Sequence, residues 1–182
     1  MNEAQKKTHS KFLSKILRHS PDAIGLRLDN QGWADVAELI LKAGNRFTMA
    51  ELEEIVDTNE KKRFAFNESK TRIRASQGHS IDIDLALPPA VPPAFLYHGT
   101  TGSAIKEIRQ EGIKRMSRQH VHLSIDKETA IKVGSRHGVP VILTIRTGEM
   151  HADGFVFWCS ENNVWLTDAV PKKYIDYPHN FR

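Results

Sequence analysis

Four prolines within six residues, Pro88, Pro89, Pro92 and Pro93, interrupt this chain of 182 residues near its midpoint. Proline has no backbone N–H to donate to a strand ladder and it cannot continue a helix, so the stretch predicts a stiff linker. A chain of this length can form two small lobes, each with a modest core. We therefore expect one lobe over residues 1–87, a linker over residues 88–93 and a second lobe over residues 94–182.

The first lobe is predicted to contain three helices followed by a β-hairpin. Apolar residues at helical spacing indicate the helices, and each helix has a start or stop signal. The apolar segments are Phe12–Leu17 before Pro21, Val36–Ile40 after the capping residue Asp35, and Leu52–Val56 after the capping pair Thr48 and Glu51. Phe64 and Phe66 alternate with polar neighbours and Thr71–Ala75 indicates a returning strand. Helices followed by a hairpin favour a winged-helix lobe.

The second lobe is predicted to be an α+β lobe dominated by sheet. Two helices are expected, over Gly102–Gln110 and in a segment that ends near Gly134. The expected strands are Phe95–Tyr97, Val121–Leu123, Val139–Ile145, Phe155–Trp158 and Val164–Leu166. Mixed helices and strands in both halves give an α+β fold class for the whole chain.

Composition excludes several classes of protein. The chain is 40% hydrophobic and 26% charged, which is typical of a folded globular protein. It has no long apolar run and opens on polar residues, so we expect no membrane association and a cytoplasmic location. The single cysteine, Cys159, is expected to be a buried small hydrophobe, and the net charge of +4 suits an anionic partner. Phosphate-binding loops of the GxxxxGK[ST] and GxGxxG types and the HExxH metal motif are absent from the sequence.

Candidate site residues of the first lobe are cations and polar residues at the ends of elements. Arg18 and His19 close the first helix, where a favourable interaction with the helix dipole, about 0.3 to 1 kcal/mol, is an alternative explanation for them. Arg63 follows two lysines, and a solvated charge run is its alternative explanation. Gln77, His79 and Ser80 lie in the polar loop after the hairpin, where ordinary turn chemistry would also suffice.

The second lobe offers a glycine beside a predicted strand and a segment with two histidines. Gly99, in the tripeptide from His98 to Thr100, would let a ligand approach the backbone. His120 and His122 lie two residues apart, which places them on one face of a strand beside Arg118. A metal pair is conceivable there, but no third ligand is evident, so we expect no metal.

Five short segments, taken together and in order, resemble the KptA family of NAD-dependent RNA 2'-phosphotransferases. They are Leu17-Arg18-His19, Lys62-Arg63-Phe64, Gln77-Gly78-His79-Ser80, His98-Gly99-Thr100 and Ser117-Arg118-Gln119-His120-Val121-His122-Leu123-Ser124. The resemblance extends over nearly the whole chain. It implies an N-terminal winged-helix RNA-binding lobe and a C-terminal NAD-binding lobe of the ADP-ribosyltransferase type.

The resemblance also implies a reaction. An internal 2'-phosphate of RNA, as in a tRNA-like substrate of tRNA splicing, is transferred to NAD through an ADP-ribosylated RNA intermediate. The products are dephosphorylated RNA, ADP-ribose 1'',2''-cyclic phosphate and nicotinamide, with NAD as co-substrate and no metal.

Residue roles follow from the same resemblance. The catalytic set carries over onto Arg18, His19, Arg63 and Arg118, and the same four residues with Gln77, His79 and Ser80 would bind the RNA phosphate. NAD would be bound by His98, Gly99, Thr100, His120, His122 and Ser124.

Two other functions fit the same sequence features. One is an ADP-ribosyltransferase that modifies phosphorylated nucleic-acid ends and stops after the first step. The other is a non-catalytic winged-helix nucleic-acid binder that senses NAD. Arginines expected to act in catalysis come from both lobes, which favours an enzyme over the binder. We expect a monomer with RNA and NAD as partners.

Overall fold

The structure, a computed structural model, describes residues 1–181, with the side chain of His137 excepted. It divides into two compact units, Met1–Ala86 and Leu87–Arg182. Each unit has its own cluster of buried hydrophobic side chains. Helices and strands are mixed in both units, which confirms the α+β fold class.

Three helices form one part of the first unit: α1 (Glu3–Arg18), α2 (Val36–Lys42) and α3 (Met49–Asp57). Two of the predicted caps are confirmed. The Asp35 side chain accepts the backbone N–H of Glu38 at 2.8 Å, and Thr48 and Glu51 form the reciprocal capping box. These bonds satisfy backbone donors that the first turn of a helix leaves without intrahelical partners.

A small antiparallel sheet completes the first unit. Its strands are β1 (Ala34–Asp35), β2 (Phe64–Phe66) and β3 (Arg72–Ala75), in the order β1-β3-β2. The helices and β3 bury the largest core side chains of the unit, among them Leu13, Leu17, Leu39, Phe47, Leu52 and Ile73. The predicted hairpin is therefore present, and its assignment to the winged-helix class stays a prediction.

The second unit has three helices and eight short strands among its described residues. The helices are α4 (Ile105–Glu111), α5 (Lys127–Gly134) and α6 (Thr147–Ala152). The strands are β4 (Leu96–Thr101), β5 (Ile113–Lys114), β6 (Val121–Leu123), β7 (Pro140–Ile145), β8 (Trp158–Cys159), β9 (Trp165–Thr167), β10 (Ala169–Val170) and β11 (Ile175–Asp176).

These strands form three antiparallel sheets of the orders β11-β7-β4, β6-β9-β8 and β10-β5. The longest pairing joins β4 to β7, and it places His98 opposite Leu143. Leu143 and the neighbouring inward-facing residues of β7 are buried in the core of the unit. The pairing therefore fixes the direction and register of β4, which carries three of the predicted site residues.

Two sequence predictions of secondary structure need correction. Phe155–Trp158 is not a strand, because only Trp158 and Cys159 pair with β9. The helix α6 was not predicted, because it has six residues and only two buried positions. The proline-rich segment lies in the second unit, where the backbone N–H of Ala90 donates to the carbonyl of Phe157 at 2.8 Å. Ala90 retains the donor that its proline neighbours lack, so the segment can attach to the unit.

No helix in residues 1–181 combines the length and the apolar character needed to cross a membrane.

Candidate active site

Arg18 is the last residue of α1, and His19 is its C-cap. The helix stops there because the backbone N–H groups of His19 and Ser20 both donate to the carbonyl of Lys15, at 3.0 and 2.9 Å, and Pro21 follows. Arg18 is partly buried, whereas His19 is exposed. A helix C-terminus favours positive charge, so the local backbone suits both side chains.

The loop after the hairpin meets this helix end. The backbone N–H of Ser80 donates to the carbonyl of Arg18 at 3.0 Å, and the Ser80 Oγ lies 2.9 Å from Nδ1 of His19. Nη2 of Arg18 donates to the carbonyl of Arg63 at 3.5 Å. Positions that are 45 and 61 residues apart in the sequence are thus joined in one cluster, which we call the arginine cluster: Arg18, His19, Arg63 and Ser80.

Two residues that the sequence analysis missed hold Arg63 in place. The Asn59 Oδ1 accepts the backbone N–H of Arg63 at 3.2 Å, and the carbonyl of Arg63 accepts the backbone N–H of Ser76 at 2.9 Å. The Ser76 hydroxyl also donates to the carbonyl of Lys62 at 2.8 Å. Asn59 and Ser76 lie in polar turn sequences, so no local pattern marks them as supports of a site.

Gln77 and His79 precede Ser80 in the loop, and His79 lies within range of the charges of Arg18 and His19. His79 is only 2% exposed, and burial, followed by the charges of Arg18, His19 and Arg74, lowers its pKa to about 4. Its imidazole is therefore neutral at neutral pH. Neither its Nε2 nor the Gln77 Oε1 has a hydrogen-bond partner among the described residues. Direct contact of Gln77 and His79 with a substrate stays a prediction.

In the second unit, β4 and β6 meet through two backbone hydrogen bonds. The N–H of Tyr97 donates to the carbonyl of Ser124 at 2.9 Å, and the N–H of Ser124 donates to the carbonyl of Tyr97 at 2.8 Å. His98 is the next residue on β4, and His122 lies on β6. The bridge therefore brings together His98, His122 and Ser124, which the sequence placed in two separate segments.

His98, His122 and Arg118 are connected through hydrogen bonds. Nδ1 of His98 lies 3.1 Å from the carbonyl of His122, which can only accept, so Nδ1 carries the proton and Nε2 is the acceptor. Burial lowers the pKa of His98, and the charge of Arg118 lowers it further. Nη1 of Arg118 donates to Nδ1 of His122 at 3.0 Å, which leaves the His122 proton on Nε2. Both imidazoles are thus neutral and orientated by the protein.

Gly99 packs β4 against α5. A Cβ on Gly99 would lie 1.9 Å from the carbonyl oxygen of Ala130, and a Cβ on Gly134 would lie 3.0 Å from Pro140 and 3.2 Å from Gly99 itself. The close approach of helix and strand requires glycine at position 99, whatever its role toward a ligand. Thr100 lies two positions after His98 and so shares its face of the strand.

His120 and His122 are engaged by different neighbours. The ring of His120 lies 5.1 Å from the ring of Trp158 in a tilted arrangement, and burial lowers the pKa of His120. His122 instead accepts from Arg118. His120 is therefore not part of the hydrogen bonds that connect His98, His122 and Arg118.

Arg136 is a further cation that the sequence analysis missed. Burial lowers the pKa of Arg118, and the charge of Arg136 lowers it further, so the two guanidinium groups lie close enough to repel each other. Within residues 1–181 neither forms an ion pair with a carboxylate. Nothing in the local sequence of Arg136 distinguishes it from an ordinary surface arginine.

Comparison with known proteins decides the family. A family model described as RNA 2'-phosphotransferase, Tpt1 / KptA family, matches residues 4–169. The chain belongs to this family. The resemblance drawn from five short segments is thereby confirmed.

Relatives of the RNA 2'-phosphotransferase family match nearly the full length of the chain. A protein of Flavobacterium johnsoniae named probable RNA 2'-phosphotransferase is 62% identical over 180 residues, which cover 97% of this chain and 99% of that protein. Proteins with the same name from Burkholderia pseudomallei and Nostoc punctiforme are 54% and 52% identical, over 93% and 91% of this chain and 94% and 93% of theirs. The roles of individual residues in this RNA 2'-phosphotransferase family member stay predictions.

Proposed function

We propose that this protein transfers an internal 2'-phosphate of RNA to NAD and releases RNA with a free 2'-hydroxyl. The other products are nicotinamide and ADP-ribose 1'',2''-cyclic phosphate. Family membership and the names of the relatives support RNA 2'-phosphotransfer. The single observation that carries the proposal is the arginine cluster, in which an exposed imidazole is held beside two arginines by residues distant in sequence.

The arginine cluster suits a phosphate monoester. Its second pKa is near 6, so the group is largely a dianion at neutral pH. A guanidinium presents a planar set of donors with a permanent positive charge, which matches phosphate oxygens. Arg18 is orientated by its bond to the Arg63 carbonyl, and Arg63 is held at its own backbone by Asn59 and Ser76. Hydrogen bonds therefore hold the Arg18 side chain and the Arg63 backbone in place before a substrate binds.

The residues of the second unit fit a dinucleotide. The pyrophosphate of NAD is anionic, and Arg118 and Arg136 are neighbouring cations without a carboxylate partner among the described residues. The hydroxyl groups of Thr100, on β4, and of Ser124, directly after β6, can donate to phosphate or ribose oxygens. His98 offers Nε2 as an acceptor for a ribose hydroxyl. We propose that these residues hold NAD.

The first step requires no proton transfer by the protein. A 2'-phosphate oxygen of the RNA forms a bond to the anomeric carbon of the nicotinamide ribose while the bond to nicotinamide breaks, which gives ADP-ribosylated RNA. Because the attacking phosphate is already a dianion, the protein has to position it rather than deprotonate it. Arg18 and Arg63 are proposed for that positioning, and the absence of an assigned catalytic carboxylate is consistent with it.

The second step requires a proton donor and a proton acceptor. The ribose 2''-hydroxyl attacks phosphorus and loses its proton, and the departing RNA 2'-oxygen gains one. His19 is proposed for this transfer because its ring is exposed and its Nδ1 lies 2.9 Å from the Ser80 hydroxyl, which orientates the imidazole. Arg18, Arg63 and Arg118 are proposed to neutralise charge on the phosphoryl oxygens in the transition state.

A direct assay tests the proposal. The protein is incubated with NAD and an oligonucleotide that carries one internal 2'-phosphate, and nicotinamide and dephosphorylated RNA are quantified. An oligonucleotide of the same sequence without the 2'-phosphate is the control. We expect equimolar nicotinamide and dephosphorylated RNA, with no need for ATP and no effect of a chelator. Accumulation of ADP-ribosylated RNA alone would favour an ADP-ribosyltransferase, and full dephosphorylation without NAD would refute the mechanism.

A further inference from the structure

A cationic groove runs along one face of α1 in the first unit. Its volume is about 720 Å³, and its lining contains seven cationic or imidazole side chains but only two carboxylates, those of Glu3 and Glu60. These cationic and imidazole side chains include Lys7, Lys11, Lys15, His19, Lys61 and Arg63. His19 and Arg63 belong to the arginine cluster, so the groove leads directly to the proposed phosphate site.

Three lysines of α1 form a row along this groove. Lys7, Lys11 and Lys15 are each four residues apart, which places them on one helix face over about 12 Å at 1.5 Å per residue. All three are exposed. Like charges four residues apart destabilise a helix, so helix stability does not explain the row.

The row differs from the neighbouring Lys6, which is neutralised within the protein. Nζ of Lys6 lies 2.8 Å from Glu54 and 3.3 Å from Glu3. By contrast, the part of the chain that the structure describes places no carboxylate within ion-pair distance of Lys7, Lys11 or Lys15. Their positive charge is therefore available to an anion from outside the protein.

One asparagine links the groove to the arginine cluster. Nδ2 of Asn59 donates to the hydroxyl of Ser10 on α1 at 3.2 Å, while its Oδ1 accepts the backbone N–H of Arg63 at 3.2 Å. The same side chain thus joins the two walls of the groove and fixes the arginine at its end. The groove and the arginine cluster form one continuous surface of the first unit.

We propose that this groove binds the RNA strand that flanks the 2'-phosphate, with Lys7, Lys11 and Lys15 contacting successive backbone phosphates. The inference rests on the proposed function, because it places the reacting 2'-phosphate at the arginine cluster. A row of about 12 Å spans more than three steps of one strand, at roughly 3.4 Å of helix axis each, so each of the three lysines can reach a different phosphate. Contacts to the backbone alone carry no base information, so binding in the groove is independent of the flanking sequence.

The test compares two variants that each lose three positive charges. The groove variant carries Lys7→Gln, Lys11→Gln and Lys15→Gln. The control variant carries Arg27→Gln, Arg46→Gln and Lys62→Gln, which are exposed residues of the same unit that do not line the groove and that pair with no carboxylate among the described residues. Binding of a single-stranded RNA of about twelve nucleotides without a 2'-phosphate is measured by fluorescence anisotropy as salt is varied.

Each phosphate neutralised in a single strand contributes about 0.7 to the slope of log affinity against log salt. Loss of three lysines should therefore lower the slope by about 2 and weaken binding by up to ~100-fold at 0.1 M salt. The control variant should change the slope by less than half as much. Equal slopes for the groove variant and the unmodified protein would overturn the inference.

A second measurement separates this inference from the proposed function. KM is measured with a 2'-phosphorylated dinucleotide and with a longer RNA that carries the same modified junction. In the groove variant we expect KM to rise at least tenfold more for the longer RNA than for the dinucleotide. An equal rise for both substrates would refute the groove while leaving the function intact. If the unmodified protein turned over neither substrate, the proposed function would fail, and the anisotropy measurement would still decide whether the groove binds RNA.

Discussion

The buried imidazole of His79 should make the first unit sensitive to acid. It is 2% exposed, and burial, followed by the positive charges of Arg18, His19 and Arg74, lowers its pKa from 6.5 to about 4. The folded state therefore opposes protonation of this ring, while the unfolded chain accepts a proton at the ordinary pH. The variant His79→Gln removes the titration and keeps a polar side chain of similar size.

The sign and size of the effect follow from this difference in pKa. His79 has its lower pKa in the folded state, so its contribution to stability is complete above pH 6.5 and is lost progressively as the pH falls toward 4. A difference of about 2.5 pKa units corresponds to about 3 kcal/mol, of which about 2 kcal/mol is already lost at pH 5. Because the ring is almost fully buried, solvent screens the neighbouring charges little, and the free-energy difference needs little reduction on that account.

Urea unfolding monitored by tryptophan fluorescence measures this loss. The chain has three tryptophans, and Trp33 is in the first unit, where the guanidinium of Arg74 lies 4.5 Å from its ring centroid. In a background with Trp158→Phe and Trp165→Phe, the emission reports on the first unit alone. We expect its free energy of unfolding to fall by about 2 kcal/mol more between pH 7.5 and 5 with His79 than with Gln at this position.

Two results would refute this reasoning. A pKa of His79 near 6.5, measured from its imidazole resonances by NMR, would show that burial and the neighbouring cations do not act as argued. Identical pH dependence of unfolding in the protein and in His79→Gln would show that another group dominates the acid response.

The remaining predictions concern catalysis and packing. His19→Ala should slow RNA dephosphorylation more than nicotinamide release, so that ADP-ribosylated RNA accumulates in rapid-quench samples; equal slowing of both would remove His19 from proton transfer. His98→Ala should weaken NAD binding and Arg63→Ala should weaken binding of 2'-phosphorylated RNA, as measured by separate titrations, and equal losses of both ligands in both variants would contradict this division. Gly99→Ala should lower the free energy of unfolding by about 3 kcal/mol or more, because its Cβ would lie 1.9 Å from a backbone oxygen of α5. Gly102→Ala is the control, since its nearest contact would be 3.8 Å, and an equal effect of both substitutions would be contrary to expectation.

Helix positions were predictable because their signals are local. Asp35 and Thr48 form the expected caps, and α1 ends before Pro21 as predicted. The shortest strands were not predictable for the opposite reason. Ile113–Lys114 pairs with Ala169–Val170, and two residues carry no periodicity while their partners lie more than fifty positions away.

Assembly of the candidate site depended on contacts that no local pattern encodes. The Arg18–Arg63 and His19–Ser80 contacts join turns and helix ends that are far apart in the sequence. Each of the five short segments has an ordinary structural explanation when taken alone. Only their order along the chain indicated the family. Asn59 was missed because an asparagine in a turn is common, although here it holds the backbone of an arginine.

Gly99 shows that a residue can be selected correctly for an incomplete reason. A glycine beside a strand was interpreted as room for a ligand near the backbone, yet the carbonyl of Ala130 occupies the space of its missing side chain. The helix that supplies this carbonyl, α5, ends at Gly134, which in turn packs on Gly99. Arg136 follows two residues later and carries charge toward Arg118. The glycine pair therefore brings a helix close to the strand of His98 and Thr100, and a proposed role in NAD binding can act through this packing rather than through contact of Gly99 with the ligand.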